Sequence, residues 1–310
     1  MHHIGLSLAQ LGPFADLASI EAMATGAEAR GYHSLWVIDR LLDPVAPRSP
    51  YPGTADGALP PEQRIALDPL MTLAAAASIT TDIRLGTSVL VAPWYRPVLL
   101  ARSLATLDVL SRGRLDIGLG LGWSADEYAA AGVPQRNLAE RQEELLDVLD
   151  TVWASDVVEL RTERVELAPS RIRPTPVQRP RPPILLAAYT PRGLERVGRR
   201  ADGWTPAGLP IDVTAAMWSA VTAAAVDAGR DPDELSLVVR ANAHHTSRPI
   251  DHDLTAYHGS VEQIAADVRA VFEIGATEVL VDLQGSTSTV SEHLDLADAI
   301  VAAGELRTAA

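Results

Sequence analysis

The chain has 310 residues, no cysteine and no lysine; its 26 basic residues are all arginine, set against 40 acidic ones for a formal charge of −14. Without cysteine there are no disulfides, thiolate metal sites or thiol nucleophiles, and without lysine there is no Schiff-base chemistry. The negative balance argues against nucleic acid or an anionic membrane as partner, and no run reaches the roughly 18–20 apolar residues of a membrane span. What remains is carboxylate, histidine, hydroxyl and arginine chemistry, or a bound cofactor acting on a small molecule. The N-terminus enters a strand-like segment directly, so no signal peptide is expected and the cytoplasm is the expected location.

Along the chain, short β-rich runs alternate with longer helical patterns. Ile4–Leu8 precedes a helix at Leu17–Arg30, closed by Gly31, and Ser34–Ile38 precedes one at Leu70–Ile79. Ile83–Leu90 is followed by Val98–Leu110, and Arg114–Leu119 by Leu138–Ala154. Ile184–Ala188 pairs with Arg192–Arg200, and Gly203–Pro206 with Val213–Ala228. Leu235–Ala241 leads to Val261–Ile274, capped by Ser260, and Glu278–Leu283 leads to Val290–Ala303. Eight strand–helix pairs in one domain, 1–310, define an α/β protein with a parallel sheet. Periodicity leaves open whether the sheet closes into a (β/α)8 TIM barrel or stays doubly wound.

Two insertions break the rhythm. Residues 43–68, after strand 2, are rich in proline, glycine and aspartate and read as a long functional loop. Residues 157–183, before strand 5, begin with VVELRTERVELAP, two β-like runs suited to a hairpin, and end in a proline-rich stretch.

Ligands of parallel α/β sheets bind beyond the carboxyl ends of the strands. Those ends carry Ser7-Leu8-Ala9-Gln10, Asp39-Arg40, Gly86-Thr87-Ser88-Val89, the run GLGLGW, Ala187-Ala188-Tyr189-Thr190, Trp204 and Asn242-Ala243-His244-His245. Small uncharged residues dominate strands 3 to 5, which suits a flat ring approached by backbone. Gly118, Gly120 and Gly122 are equally compatible with a tight strand-to-helix turn.

In order and spacing, SLWVIDR, IRLGTSVL, the run Ala101–Leu115, GLGLGWSADEY and R-x-A-D-G-W at Arg199–Trp204 resemble the luciferase-like flavin and deazaflavin oxidoreductases. More closely, they are similar to the actinobacterial branch that uses coenzyme F420. The resemblance spans Ile4 to about Leu283 and implies a (β/α)8 barrel holding coenzyme F420, with FMN as the alternative. It implies hydride transfer between the deazaflavin C5 and a small, fairly apolar substrate, in a homodimer. In the FMN case it implies an oxygen-using monooxygenase served by a flavin reductase.

The same resemblance places Asp39, Thr87, Ser88, Val89, Gly120, Gly122 and Asp126 against the ring, with a cis peptide between Ser88 and Val89. Ala187, Ala188, Tyr189 and Thr190 would meet the cofactor's phosphate at a helix N-terminus. Asp39, Trp123 and Glu127 are the implied catalytic positions, and Arg173, Arg179, Arg181 and Arg192 the implied basic rim for an anionic tail. Two departures stand out. Alcohol-oxidising relatives carry histidine where this chain has Arg40, which stays protonated and cannot accept a proton, and the sugar-phosphate enzyme has glutamate where Trp123 stands. A different substrate follows.

Two other classes compete. A metal-dependent hydrolase finds support in His244, His245, Asp251, His252, Asp253 and His258, but strands 1, 4, 5 and 6 offer no further histidine, so no metal is expected. A non-catalytic flavin-binding barrel would fit the loss of histidine at position 40.

Overall fold

Parallel pairing runs in a closed circle. The computed structural model describes residues 2–251 and 256–306. In it β1 (His3–Ser7) pairs with β2 (Ser34–Val37), β2 with β3 (Arg84–Thr87), and β3 with β5 (Leu115–Gly120). From β5 the sheet continues through β8 (Ile184–Leu186), β9 (Gly203–Trp204), β10 (Ser236–Asn242) and β13 (Glu278–Asp282), and β13 pairs with β1. This is a (β/α)8 barrel. Closure depends on the β3–β5 and β13–β1 pairings, which no local periodicity reveals.

Helices α1 (Leu17–Ala29), α2 (Pro69–Ile79), α3 (Pro97–Leu110), α4 (Ala125–Ala130), α5 (Leu138–Ala154), α6 (Pro191–Arg200), α7 (Ile211–Asp227), α8 (Val261–Glu273) and α9 (Val290–Ala303) return the chain to the barrel floor. The punctuation read in the sequence is real. Gly31 follows α1 at φ +76°, and Ser260 closes a capping box with Gln263 at the start of α8. Helices α3 and α5 pack on one another within the chain, where the Trp153 indole donates to Ala101 O at 3.2 Å.

The run expected as one strand over Ile83–Leu90 is two pieces, β3 and β4 (Leu90–Val91). Gly86 lies opposite Asp116 and Leu90 opposite Leu119, so Thr87, Ser88 and Val89 face only Ile117 and Gly118. That is a bulge of one residue. The Ser88–Val89 peptide within it is cis, as the resemblance implies.

The second insertion forms a hairpin, β6 (Val158–Arg161) against β7 (Glu166–Ser170). Its proline-rich tail is tied to the end of α3 and the start of β5. Val177 and Gln178 N–H groups donate to Asp108 Oδ2 at 2.6 and 3.0 Å, and the Gln178 amide donates to Leu115 O at 2.7 Å. Arg114, also at this end, donates to Ser111 O, Ile83 O, Ala77 O and Thr80 O, joining the ends of α2 and α3.

The barrel floor holds a buried acid, Glu278. Its Oε1 accepts from the Trp36 indole at 2.8 Å and from the Ser34 hydroxyl, with Asp116 and Arg84 beside it and His33 4.0 Å from Oε2. Burial first, and then Asp116, push its carboxyl up from 4.5 to about 7. A raised native value means that protonation favours the folded state, so stability falls as pH rises from about 4.5 through about 7. Glu278→Gln should remove that slope and stabilise the protein above pH 7, by on the order of 3 kcal/mol at 1.36 kcal/mol per unit. Urea unfolding at pH 5 and pH 8.5 checks this; an unchanged pH slope in the variant would refute it.

Candidate functional site

The site is the mouth at the strand C-termini, and its first wall is the chain leaving β2. Gln10 fixes that chain by bonding both polar backbone atoms of Ile38, accepting from its N–H at 2.8 Å and donating to its carbonyl at 2.7 Å. Asp39 follows. Its Oδ2 accepts from the Val91 N–H and the Tyr95 hydroxyl, both at 2.9 Å, so the carboxylate ties the β2 loop to the end of β4. Burial pushes its carboxyl up to about 6 against those two bonds. At neutral pH it is therefore an anion whose bonds among the described residues all fall on one oxygen. Asp39→Ala would strand the Val91 N–H and the Tyr95 hydroxyl. The expected loss is about 1–3 kcal/mol in urea unfolding, with Asp39→Asn losing clearly less.

Arg40 and Glu127 form a buried pair. Their side chains are 5% and 3% exposed, with Arg40 Nε 3.4 Å from Glu127 Oε1, which also accepts from Leu41 N–H at 2.8 Å. Arg40 lies over the Trp123 ring at 5.2 Å, and Tyr51 from the long loop meets Trp123 edge-on at 5.4 Å. Glu127, implied as a catalytic position, is thus turned into the protein as the counter-ion of Arg40. Asp126, implied as a ring contact, faces the other way. Its Oδ2 accepts from Arg48 N–H at 2.8 Å and its Oδ1 pairs with Arg48 Nε at 3.2 Å, while Ser49 Oγ accepts from Ala125 N–H. The acidic first turn of α4 anchors the long loop, in which residues 38–60 contain no helix or strand. Trp123 and Asp126 are half-buried, and Glu127 is buried.

The glycine run has a different immediate neighbour from the one expected. A Cβ on Gly118 would overlap Thr87 O, one on Gly120 would lie 2.5 Å from Val89 Cγ2, and one on Gly122 would lie 2.6 Å from Val91 Cγ1. The glycines therefore seat the bulge of β3–β4, and Gly122 also needs its φ of +66°. Thr87 takes part in the same contact. It is fully buried, and its hydroxyl accepts from Gly118 N–H at 2.9 Å and donates to Gly118 O at 2.8 Å, replacing the ladder bonds the bulge breaks. Ser88 and Val89 are the half-buried faces of this segment, joined by Ala187 and Ala188 across Gly120.

Thr190 caps α6, accepting from Gly193 N–H at 3.2 Å, and Pro191 has no N–H. Of the first turn of α6, the Arg192 N–H is left to meet a phosphate, or the ligand displaces the Thr190 cap. Tyr189, about half exposed, accepts from Ala207 N–H at 3.1 Å. The expected basic rim is corrected. Arg181 pairs with Asp150 and Asp202, Arg173 pairs with Asp156, and Arg179 bonds the carbonyls of Pro176 and Gln178. An insertion that precedes a strand enters the barrel at its N-terminal end, so these arginines belong to the floor. Arg192 alone stands at the mouth.

A second buried cation of the mouth was not foreseen. Arg240, 6% exposed, sits inside the apolar strand LVVRAN and bonds Asp282, Asn242 and Ser88. A charge at an inward position of a barrel strand, two residues before its polar end, was the available signal. His244 stands opposite His258 in a short parallel bridge, the rings 5.3 Å apart. Among the described residues no three His, Asp or Glu side chains form a group that could hold a metal ion, while His252 and Asp253 lie outside them. Nor, among those residues, is any helix long and apolar enough to cross a membrane.

The (β/α)8 barrel thus gathers small residues, exposed backbone and the Asp39 carboxylate at the mouth formed by its strand ends. The chain belongs to the luciferase-like monooxygenase family, whose model matches residues 2–251. An uncharacterized protein of Mycobacterium tuberculosis is 33% identical over 258 residues, 81% of this chain and 90% of that protein. The F420-dependent hydroxymycolic acid dehydrogenase of the same species is 30% identical over 224 residues, 69% of this chain and 55% of its own. The oxygenase component of the flavin-dependent trigonelline monooxygenase of Acinetobacter baylyi is 35% identical over 133 residues, 42% of this chain and 37% of its own. The crystal structure of the monooxygenase RslO1 of Streptomyces bottropensis shares the fold, with a TM-score of 0.77 at 20% identity over 97% of this chain and 98% of that one.

Proposed function

We propose that this protein is a coenzyme F420-dependent oxidoreductase that moves hydride between the deazaflavin C5 and a small, fairly apolar organic molecule. The observation that carries the reading is the half-buried seat of Ser88, Val89, Ala187 and Ala188, floored by Gly120 and flanked by Asp39. A Cβ at Gly120 would press on Val89 at 2.5 Å, so the glycine lets Val89 and Ala187 close around that seat. The likeness to an F420-dependent relative over 69% of the chain supports the deazaflavin.

When bound, the coenzyme supplies the carbon that takes or gives the hydride. The protein's part is to bind, orient and keep water out. Asp39, ionised at neutral pH, would hold the polar edge of the ring through its second oxygen. Ser88 and Val89 would support one face, and Ala187 to Thr190, with the Arg192 N–H, would take the phosphate. Trp123 and Tyr51 would wall the substrate side with apolar surface. Arg40, paired with Glu127, does not exchange protons with the substrate; its role is to orient Trp123. Met71 of α2 and Leu99 and Leu110 of α3, each more than half exposed on adjacent helices, support a homodimer, which we place in the cytoplasm.

The alternative is FMN-dependent monooxygenation with a flavin reductase as partner, favoured by the 35% identity to the trigonelline enzyme. Fluorescence titration of the purified protein with oxidised F420 and, separately, FMN decides between them. Tight binding of F420 alone is expected. Preference for FMN selects the alternative, and binding of neither refutes both.

A further inference from the structure

Strands β3 and β10 stand diametrically opposite in the barrel. Going one way β2, β1 and β13 intervene, and going the other way β5, β8 and β9. One side chain nevertheless joins them. From β10, Arg240 donates through Nη1 to Ser88 O at 2.9 Å, through Nε to Asn242 Oδ1 at 2.8 Å, and through Nη2 to Asp282 Oδ2. Asn242 and Asp282 lie opposite each other on neighbouring strands, so two acceptors hold the guanidinium from its own side while its far end crosses the barrel. Asp282 is held in turn. Its Oδ1 accepts from Gln284 N–H at 3.1 Å, and Arg240 with that bond keeps its carboxyl below the ordinary range despite burial, which acts to raise it.

We infer that Arg240 is a positioning residue: clamped by Asp282 and Asn242, it holds the Ser88 carbonyl from across the barrel and so fixes the Ser88–Val89 segment against which a ring cofactor lies. The inference rests on the redox reading above. Its physical content is geometric. Ser88 and Val89 lie in a bulge of one surplus residue and have no register partners on β5. On the β2 side the segment is held by the Ser88 N–H bond to Val37 O at 2.8 Å, and on the barrel-axis side by Arg240. Three acceptors in a fixed fork match a guanidinium and do not match an ammonium, which would keep Asp282 and give up Ser88.

The test uses Arg240→Lys, which retains the charge pair, and the double variant R240M/D282N, which leaves no buried charge unpaired should the lysine protein fold poorly. Two readouts are taken on each beside the wild type. One is hydrogen–deuterium exchange over residues 84–94 of the protein without cofactor. The other is titration with oxidised F420 and with FMN, recording affinity and the absorption difference spectrum. Exchange at residues 88–91 is expected to rise at least fivefold with the α3 amides unchanged. Affinity for the ring should fall tenfold or more, with an altered difference spectrum. Exchange unchanged in both variants, or raised exchange with wild-type affinity and spectrum, overturns the inference. A wild type that binds neither cofactor overturns the redox reading instead, and the exchange data then judge the clamp by itself.

Discussion

Gly118→Ala is expected to cost about 3 kcal/mol or more, at or beyond the upper end of what overpacking usually costs. The added methyl would overlap the Thr87 carbonyl oxygen and come within 3.1 Å of the Thr87 carbonyl carbon and 3.2 Å of Val89 Cγ1. The obstacle is backbone, and that backbone is pinned, because Thr87 and Gly118 exchange two hydrogen bonds through the threonine hydroxyl. No rotamer change relieves the clash; the bulge itself must move. Gly132→Ala is the matched comparison, since nothing lies within 4 Å of its Cβ and only its φ of +67° is at issue. That change should cost about 1–2 kcal/mol. Urea unfolding of both variants separates the cases. A Gly118→Ala protein that loses less than the Gly132→Ala protein would show that the bulge is not seated as described.

Glu127→Ala should be as severe, about 3–5 kcal/mol, because it leaves the Arg40 charge buried without its partner. The Arg40 side chain is 5% exposed and stacked over Trp123, so it has no short route to solvent. The Leu41 N–H loses its acceptor in the same step. Replacing both charges, as Arg40→Leu with Glu127→Leu, should recover most of the loss, because the cost lies in the orphaned charge. A double variant no more stable than Glu127→Ala would show that the pair's worth lies in packing. Limited proteolysis supplies a second readout. Releasing Leu41 loosens the start of the long loop, so cleavage within residues 43–60 should quicken in Glu127→Ala and stay fast in the double variant, which lacks the Leu41 acceptor as well.

Much of this protein was legible in its residue order. The alternation of β-rich runs and amphipathic helices, the caps at Ser260 and Gly31, the hairpin in VVELRTERVELAP and the long loop after strand 2 are local features that neighbouring residues determine. The family was legible too, in motifs whose spacing is itself sequence. What the order alone did not show is which atoms face which. Closure of the barrel depends on β3 meeting β5 and β13 meeting β1, pairings of distant segments. Glu127 and Asp126 are adjacent acids, yet one points inward to Arg40 and the other outward to Arg48, a division set by the packing of α4. The glycines of GLGLGW announced a close approach, but only the assembled barrel shows that the approaching group is the bulge at Ser88–Val89. Arg240 is the extreme case: inside its strand it is one charge among apolar residues, and it acquires partners on β13 and β3 only when the barrel brings Asp282 and Ser88 to it. Local propensity acts over a few residues, whereas a site at the mouth of a closed barrel is assembled from strand ends scattered along the chain, and tertiary contact alone selects their neighbours.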